Sequence, residues 1–555
     1  MATFEVWAPR SSEVAVVLGG RRVALAGPDD AGWFAVSVDD AGPGDDYGYS
    51  LDGAPPRPDP RSPWQPAGVH GLSRLVDHGA FGWTDGRWVP PPLDECVLYE
   101  LHIGTFSPEG TFDGAVARLD HIVDLGVTAV EVMPVAEFPG TRGWGYDGVD
   151  LYAPHSAYGG PEGFKGLVDA CHARGLAVLL DVVYNHLGPD GNYLREFGPY
   201  FTDRYSTPWG DAVNYDGPDS DAVRAFVVGN ACMWVRDYHV DGLRLDAVHA
   251  IVDISATPIV EEIAAALHDL GTSLGRPVYV VAESDLNDPR VVRAPEIGGY
   301  GCDAQWSDDF HHALHAVLTG EGEGYYADFG SLGQLAKALR QAFVYDGDYS
   351  PHRRRRHGGA PTGLASSAFL GYLQNHDQIG NRAAGERSSA LLGTGRLKIA
   401  AAVVLCSPFV PMLFQGEEWG ASTPFRYFTD HGDPRLGRLV SEGRRREFAA
   451  FGWSPDDVPD PQDPETFRRS KLDWDERDRS PHAELLDWHR QLIGLRPGIE
   501  GAGVDVRYDE DARWLVLERG TLSVVCNLAD GEQAVPMAEG TDQVIVPPES
   551  VRVLG

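Results

Sequence analysis

Cysteine is scarce, and its spacing excludes the chemistries built on it. The six cysteines of this 555-residue chain, Cys96, Cys171, Cys232, Cys302, Cys406 and Cys526, form no CxxC pair and are too sparse for a disulfide scaffold, so buried free thiols are expected. Positive charge is also scarce. The chain has 46 Lys and Arg against 82 Asp and Glu, a formal charge of -36, which disfavours nucleic acid or an anionic membrane as partner and leaves a neutral substrate as the easiest one. Most of this acidity reads as a solvated face, and the one basic run, HRRRRH from His352 to His357, as a solvated or acid-paired loop. Long apolar runs are missing. The longest, Ile399 to Phe414, is too short for a membrane span and contains Pro408 and Pro411, which suits a buried helix end leading into a strand. The start, MATFEVWAPRSS, lacks the basic segment and apolar run of a secretory signal, so the reading is a soluble, cytoplasmic protein. Neither a GxGxxG nor a P-loop fingerprint follows the first barrel-like strand. No compact Cys/His cluster, HExxH or EF-hand pattern occurs, so neither a cofactor nor a catalytic metal is expected.

What is present divides at a Pro- and Gly-rich stretch, SLDGAPPRPDPRSPWQPAGVHG through WVPPPLDE. Residues 1–92 carry short aromatic and β-branched runs and read as a small β-sandwich of a carbohydrate-binding-like kind. Its rings, Trp7, Trp33 and Phe34, are read as core rather than as sugar platforms, because so small a domain needs them inside. From 93 to 497 the pattern becomes apolar strand, helix, apolar strand. VLYELHIG, VTAVEVMP, LAVLLDVVYNH, DGLRLD, VYVVAE, CDAQW, FLGYLQN and FVPMLFQ give eight strands, with helices around FDGAVARLDHIVDL and PEGFKGLVDACHARG between the first three. An insertion rich in Gly, Pro, Asp and aromatics, about 187–235, is expected to wall a cleft. After the helical pattern HAELLDWHRQLIGLRPG, the alternating runs of 498–555 read as an antiparallel β domain. The expected fold is multidomain: a (β/α)8 TIM barrel with an N-terminal β-sandwich and a C-terminal antiparallel β domain.

Three carboxylates, Asp246, Glu283 and Asp377, each stand at the C-terminal end of an apolar run, in DGLRLDAVHAI, VYVVAESDLNDPR and FLGYLQNHDQIGN. A lone carboxylate there is usually a cap or a surface charge, but three strand ends of one barrel converge on one face. Cleaving an acetal needs a proton for the leaving oxygen and a carboxylate facing an oxocarbenium-like carbon. Glu283, after an almost wholly apolar strand, suits the acid, because burial and a neighbouring carboxylate raise its pKa. Asp246 suits the nucleophile, because Arg244 lies two residues earlier on the same strand face and keeps it ionised. Asp377 is read as a third carboxylate that holds sugar hydroxyls. His186 and His376 are candidate donors to those hydroxyls, and Tyr146, in WGYDGVD, offers a ring for stacking.

These segments closely resemble glycoside hydrolase family 13, the α-amylase superfamily: DVVYNH (181–186), GLRLDAVH (242–249), VVAES (280–284) and LQNHD (373–377) match its four conserved regions. The resemblance implies Asp246 as nucleophile, Glu283 as acid/base and Asp377 as transition-state stabiliser. It places Arg244, His186, His376 and Tyr146 in the first subsite. A retaining enzyme of this kind is expected to hold its nucleophile and acid roughly 5 to 5.5 Å apart. The order of parts, and segments such as EFPGTRGWGYDGVDLYAPHSAYGG and LFQGEEWGASTPFRYFTDH, are most similar to members that act on maltooligosyltrehalose and related α-glucans and release trehalose. Trp209 and Gln378 are placed at the trehalose end by the same likeness. Branching enzymes, α-1,6-debranching enzymes and broad α-amylases share the three carboxylates and remain alternatives. A noncatalytic glucan-binding scaffold is disfavoured because all three are present.

Overall fold

Eight parallel strands close into a barrel in the computed structural model, which describes residues 1–449, 458–499, 501–537 and 542–555. They run Leu98–Leu101, Ala129–Val132, Ala177–Val182, Gly242–Leu245, Tyr279–Ala282, Ala304–Trp306, Phe369–Gly371 and Val410–Phe414, each bonded to its neighbours in chain order, the last pairing with the first. Every residue of these strands is buried, which is why each reads as a continuous apolar run rather than an alternating one. All eight strands expected from sequence are present.

Successive side chains of a strand point to opposite faces, and the barrel sorts its residues accordingly. Val178, Leu180, Leu243, Leu245, Val280 and Ala282 join the large core that packs the strands against the helices. Leu98, Ala129, Leu179, Val281, Leu370 and Met412 form a separate apolar cluster inside the barrel. Two residues further along the same faces come Glu100, Glu131, Asp181 and Glu283. Register then decides which of these meet: Glu100 pairs with Glu131, and Asp181 with Arg244.

The N-terminal residues form a two-stranded sheet, Ala2–Trp7 with Trp33–Val38, and a four-stranded one that ends in Ser73–Arg74. Trp7 and Phe34 are buried, and Trp33 is half-buried with the Arg61 guanidinium over its ring. After the barrel, a four-stranded antiparallel sheet and a two-stranded one are built from Val504–Asp509 through Ser550–Leu554.

Two sequence expectations change in detail. The helix around FDGAVARLDHIVDL is two helices, Phe112–Val116 and Leu119–Leu125, the second closed by Gly126 at a φ of 94°, where a Cβ would stand 2.8 Å from Ile493. The insertion given as about 187–235 is shorter: it holds the hairpin Phe201–Thr207 and Gly210–Val213, after which Ser220–Asp237 is a barrel helix. That helix buries residues around much of its circumference and so lacks the one-sided apolar stripe that marks a helix in sequence. All six cysteines are free, five of them buried and Cys232 half-buried. Among the described residues no helix is long and apolar enough to cross a membrane.

Candidate active site

At the C-terminal ends of the strands lies a cleft of about 630 Å³, lined by Trp144, Tyr146, Asp147, His186, Trp209, Asp246, His249, Glu283, His376, Asp377, Asn381, Tyr427, His431 and Arg444 among others. Beneath its floor lies Arg244, wholly buried. The guanidinium donates through Nη1 to both Asp181 oxygens, at 2.9 and 2.8 Å, and to Asp246 Oδ1 at 2.8 Å, while Nη2 lies 3.2 Å from Glu283 Oε2. Its other face lies on the Trp306 ring, 4.2 Å from the centroid. Burial works against this cation, and Asp181, Tyr146, Glu283 and Asp246 more than restore it. One guanidinium therefore joins three carboxyl groups from three adjacent strands.

The two carboxylates facing the cleft differ in their surroundings. Asp246 is held at both oxygens, by Arg244 and by the Asn185 amide, which donates to Oδ2 at 2.6 Å and to the Asp246 carbonyl at 2.9 Å. Glu283 accepts the Ala247 main-chain N–H at 2.6 Å, and burial pushes its carboxyl up to about 8; Arg244 pulls against that shift, while Asp246 and Asp377 add to it. Near neutrality Glu283 thus keeps a proton to give. Asp377 is more open, its side chain 38% exposed, and accepts from the Asn381 amide at 3.1 Å.

The floor is a second chain of hydrogen bonds. The Tyr146 hydroxyl donates to Asp181 Oδ2 at 2.6 Å and lies 2.8 Å from His376 Nε2, the two rings being stacked at 5.1 Å. Burial raises Asp181 to about 6 against the pull of Arg244. His376 opens a short helix, His376–Gly380, capped by the Asn375 side chain, which accepts from the Gln378 N–H at 2.9 Å. Its Nδ1 donates to Glu100, which also accepts the His376 main-chain N–H at 2.9 Å. Burial opposes charging His376, but Glu100 and Asp377 overcome it and set the ring at about 9. Two glycines permit this packing: Gly145, at a φ of 103°, where a Cβ would stand 2.2 Å from the Pro134 carbonyl, and Gly380, where it would stand 2.0 Å from Trp144.

His186 faces inward. Its Nδ1 meets the Asn185 side-chain oxygen, its Nε2 donates to the Tyr146 carbonyl at 3.0 Å, and burial holds the ring below its ordinary value. Trp209, at the tip of the inserted hairpin and 51% exposed, stacks on it at 4.3 Å and 5°. The sequence-derived set Asp246, Glu283, Asp377, Tyr146, His186, His376 and Trp209 therefore lines one cleft, with Arg244 beneath it. Gln378 does not line the cleft, although it follows Asp377 directly; on a helix each residue turns about 100° from the last.

Sequence reasoning missed Glu100, Asp181 and Asn185, which hold the lining groups, and Trp144, Asp147, Asn381, Tyr427, His431 and Arg444 on the walls. For Glu100 and Asp181 a signal existed: a charged residue inside an otherwise apolar strand, in VLYELHIG and LAVLLDVVYNH. The wall residues come from loops and, for Arg444, from the helix Pro434–Ala449, far apart in sequence, and carry no spacing signal.

Comparison with known proteins identifies relatives of the whole chain. The family description "Alpha amylase, catalytic domain" matches residues 77–207, and "Domain of unknown function (DUF3459)" matches residues 500–550. The chain is 52% identical over 539 residues to the malto-oligosyltrehalose trehalohydrolase of Arthrobacter ramosus, covering 96% of this chain and 94% of that one. It is 50% identical over 567 residues to the protein of the same name from Rhizobium sp. (strain M-11), covering 100% and 95%. Among solved structures, a Salmonella typhimurium protein assigned as an alpha amylase superposes with a TM-score of 0.91 at 39% identity, covering 100% of this chain and 97% of that one.

Proposed function

The chain belongs to the malto-oligosyltrehalose trehalohydrolase family, and we propose accordingly that it hydrolyses the α-1,4-glucosidic bond next to the terminal trehalose unit of maltooligosyltrehalose, releasing trehalose and a maltooligosaccharide. The carrying observation for the chemistry is the Arg244 junction, where a carboxyl raised to about 8 stands beside a carboxylate held by a guanidinium and an amide. The trehalose end of the substrate is taken from the likeness to the trehalohydrolases.

Glu283 gives its proton to the glycosidic oxygen as an Asp246 oxygen attacks the anomeric carbon. The carbon–oxygen bond breaks, trehalose leaves with the proton, and a β-glucosyl ester remains on Asp246. Glu283, now a carboxylate, takes a proton from water; the water oxygen displaces Asp246 and restores the α configuration. Arg244 serves both steps by holding the Asp246 carboxyl in place and returning charge balance as Glu283 loses its proton. Asp377, open to the cleft, holds hydroxyls of the sugar being cleaved, over a floor of Tyr146 and His376. Trp209, on His186, offers an aromatic wall for a further sugar ring.

The working division of the chain is 1–92, 93–497 and 498–555, with the chemistry in the second part. A cytoplasmic location fits six free thiols. The deciding experiment incubates the purified protein with maltotriosyltrehalose and with maltopentaose side by side. Rapid release of trehalose with little attack on maltopentaose is expected, whereas equal cleavage of both moves the assignment to a broad α-amylase.

A further inference from the structure

One buried ionisable group beneath the cleft has no part in the two chemical steps. Glu100, on the first barrel strand, is 1% exposed and lies 276 positions from the residue it holds. One of its oxygens accepts the His376 main-chain N–H at 2.9 Å, and the other accepts from His376 Nδ1. On the far side of the imidazole, Nε2 lies 2.8 Å from the Tyr146 hydroxyl. That hydroxyl already gives its one proton to Asp181 at 2.6 Å, so it can only accept from His376. Both ring nitrogens are therefore set to donate, and with the Glu100 carboxylate as one of the two acceptors the ring is held as an imidazolium.

We propose that Glu100 is a positioning residue for the hydrolysis: its carboxylate holds His376 as a cation, and that cation orders Tyr146 and Asp181 under Arg244 at the floor of the cleft. The inference rests on the hydrolytic reading above and deepens it. The chain from the barrel interior to the reacting carboxylates is continuous: Glu100, His376, Tyr146, Asp181, Arg244, and from Arg244 to Asp246 and Glu283.

Every charged or titratable group facing His376 bears on its charge. Glu100 from the first strand and Asp377 from its own helix favour the cation, and Arg244 opposes it. Tyr146 meets Nε2 and passes its own proton to Asp181. Glu131, beside Glu100, is pushed by burial well above the usual carboxylate range and is neutral. His102, the next interior position after Glu100, is pushed down by burial to about 3 and is neutral as well. Among the anions near the ring, Asp377 Oδ2 lies 3.6 Å from Nε2 and Asp181 stands beyond the Tyr146 hydroxyl, whereas Glu100 accepts both the ring Nδ1–H and the His376 main-chain N–H. With that partner the ring stays charged up to about pH 9. Without it, burial acts on the ring with less opposition and its proton is lost at a lower pH.

The test is the ratio of kcat/KM for Glu100→Gln to that of the wild type, on maltotriosyltrehalose from pH 5 to pH 8.5. The ratio cancels the alkaline limb that both enzymes share through Glu283. It is expected to lie near one at pH 5 and to fall about tenfold or more by pH 8, as the variant's His376 loses the proton that Glu100 retained. A ratio equally reduced at every pH marks a merely structural residue and overturns the inference, as does an unchanged ratio. Where the variant fails to fold, nitrogen NMR of histidine-labelled wild type decides, with the His376 signal identified by its loss in His376→Gln: both ring nitrogens protonated at pH 8 supports the inference, and a neutral ring overturns it. A wild type that releases no trehalose refutes the hydrolytic reading instead, and the NMR outcome separates the two failures.

Discussion

Two layers of the same barrel, one step of the pleat apart, are buried alike and do opposite work. In the lower layer Leu98, Ala129, Leu179, Val281, Leu370 and Met412 pack together in one apolar cluster. In the layer above, reached by moving two residues along the strands, Glu100, Asp181, Arg244 and Glu283 are joined by hydrogen bonds and ion pairs. Burial therefore says nothing by itself about function here. What separates the layers is the cost of burial, which is favourable for a leucine and must be offset group by group for a charge. Arg244 offsets it for Asp181 and Asp246, and His376 for Glu100. Glu131, whose carboxyl oxygens have no hydrogen-bond partner among the described residues, meets it by staying neutral.

The contrast is sharpest where activity and stability come apart. Asp246→Asn is expected to lower kcat by about 10³-fold or more, the scale on which loss of a nucleophile is felt, with the melting temperature nearly unchanged. Steady-state kinetics beside a thermal melt checks both halves, and near-normal turnover would remove Asp246 from the chemistry. Glu283→Gln should cost about 10²- to 10⁴-fold and change the pH profile as well. The acid works while protonated, so wild-type kcat/KM should fall as pH rises through about 8, and the variant's residual activity should lack that limb. Leu179→Ala, one pleat step below Asp181, should reverse the pattern: about 2–5 kcal/mol of stability lost to the cavity, seen by denaturant unfolding, with kcat per folded molecule within a few-fold of wild type. The smallest effect is expected at the cleft wall. Trp209→Ala should raise KM for maltotriosyltrehalose about 2- to 10-fold, the value of one aromatic contact, with kcat little changed. A large fall in kcat there would move Trp209 from substrate binding into the chemistry.

The barrel strands were legible because a strand buried on both faces must be apolar almost throughout, and eight such runs stand out between helices. Asp246, Glu283 and Asp377 were legible as the charged residues that end such runs. The helix Ser220–Asp237 was hidden inside the supposed insertion because it is buried around much of its circumference. His431 and Arg444 were hidden because they reach the cleft from loop and helix positions after the last strand, and nothing in the spacing of FTDH says which way its loop folds. Gln378, set at the trehalose end by likeness alone, shares a helix with Asp377 but not the face that lines the cleft.

Period-two placement follows from the chain alone, since Leu179 and Asp181 must face the same way in any strand that contains them, as must Arg244 and Asp246. Which carboxyls share Arg244, and which of them keep a proton, was settled only when strands far apart in sequence came into register. A carboxyl's proton affinity depends on the water it has lost and the charges beside it. Both are properties of neighbours brought together by folding, as Glu100 and His376 are across 276 positions.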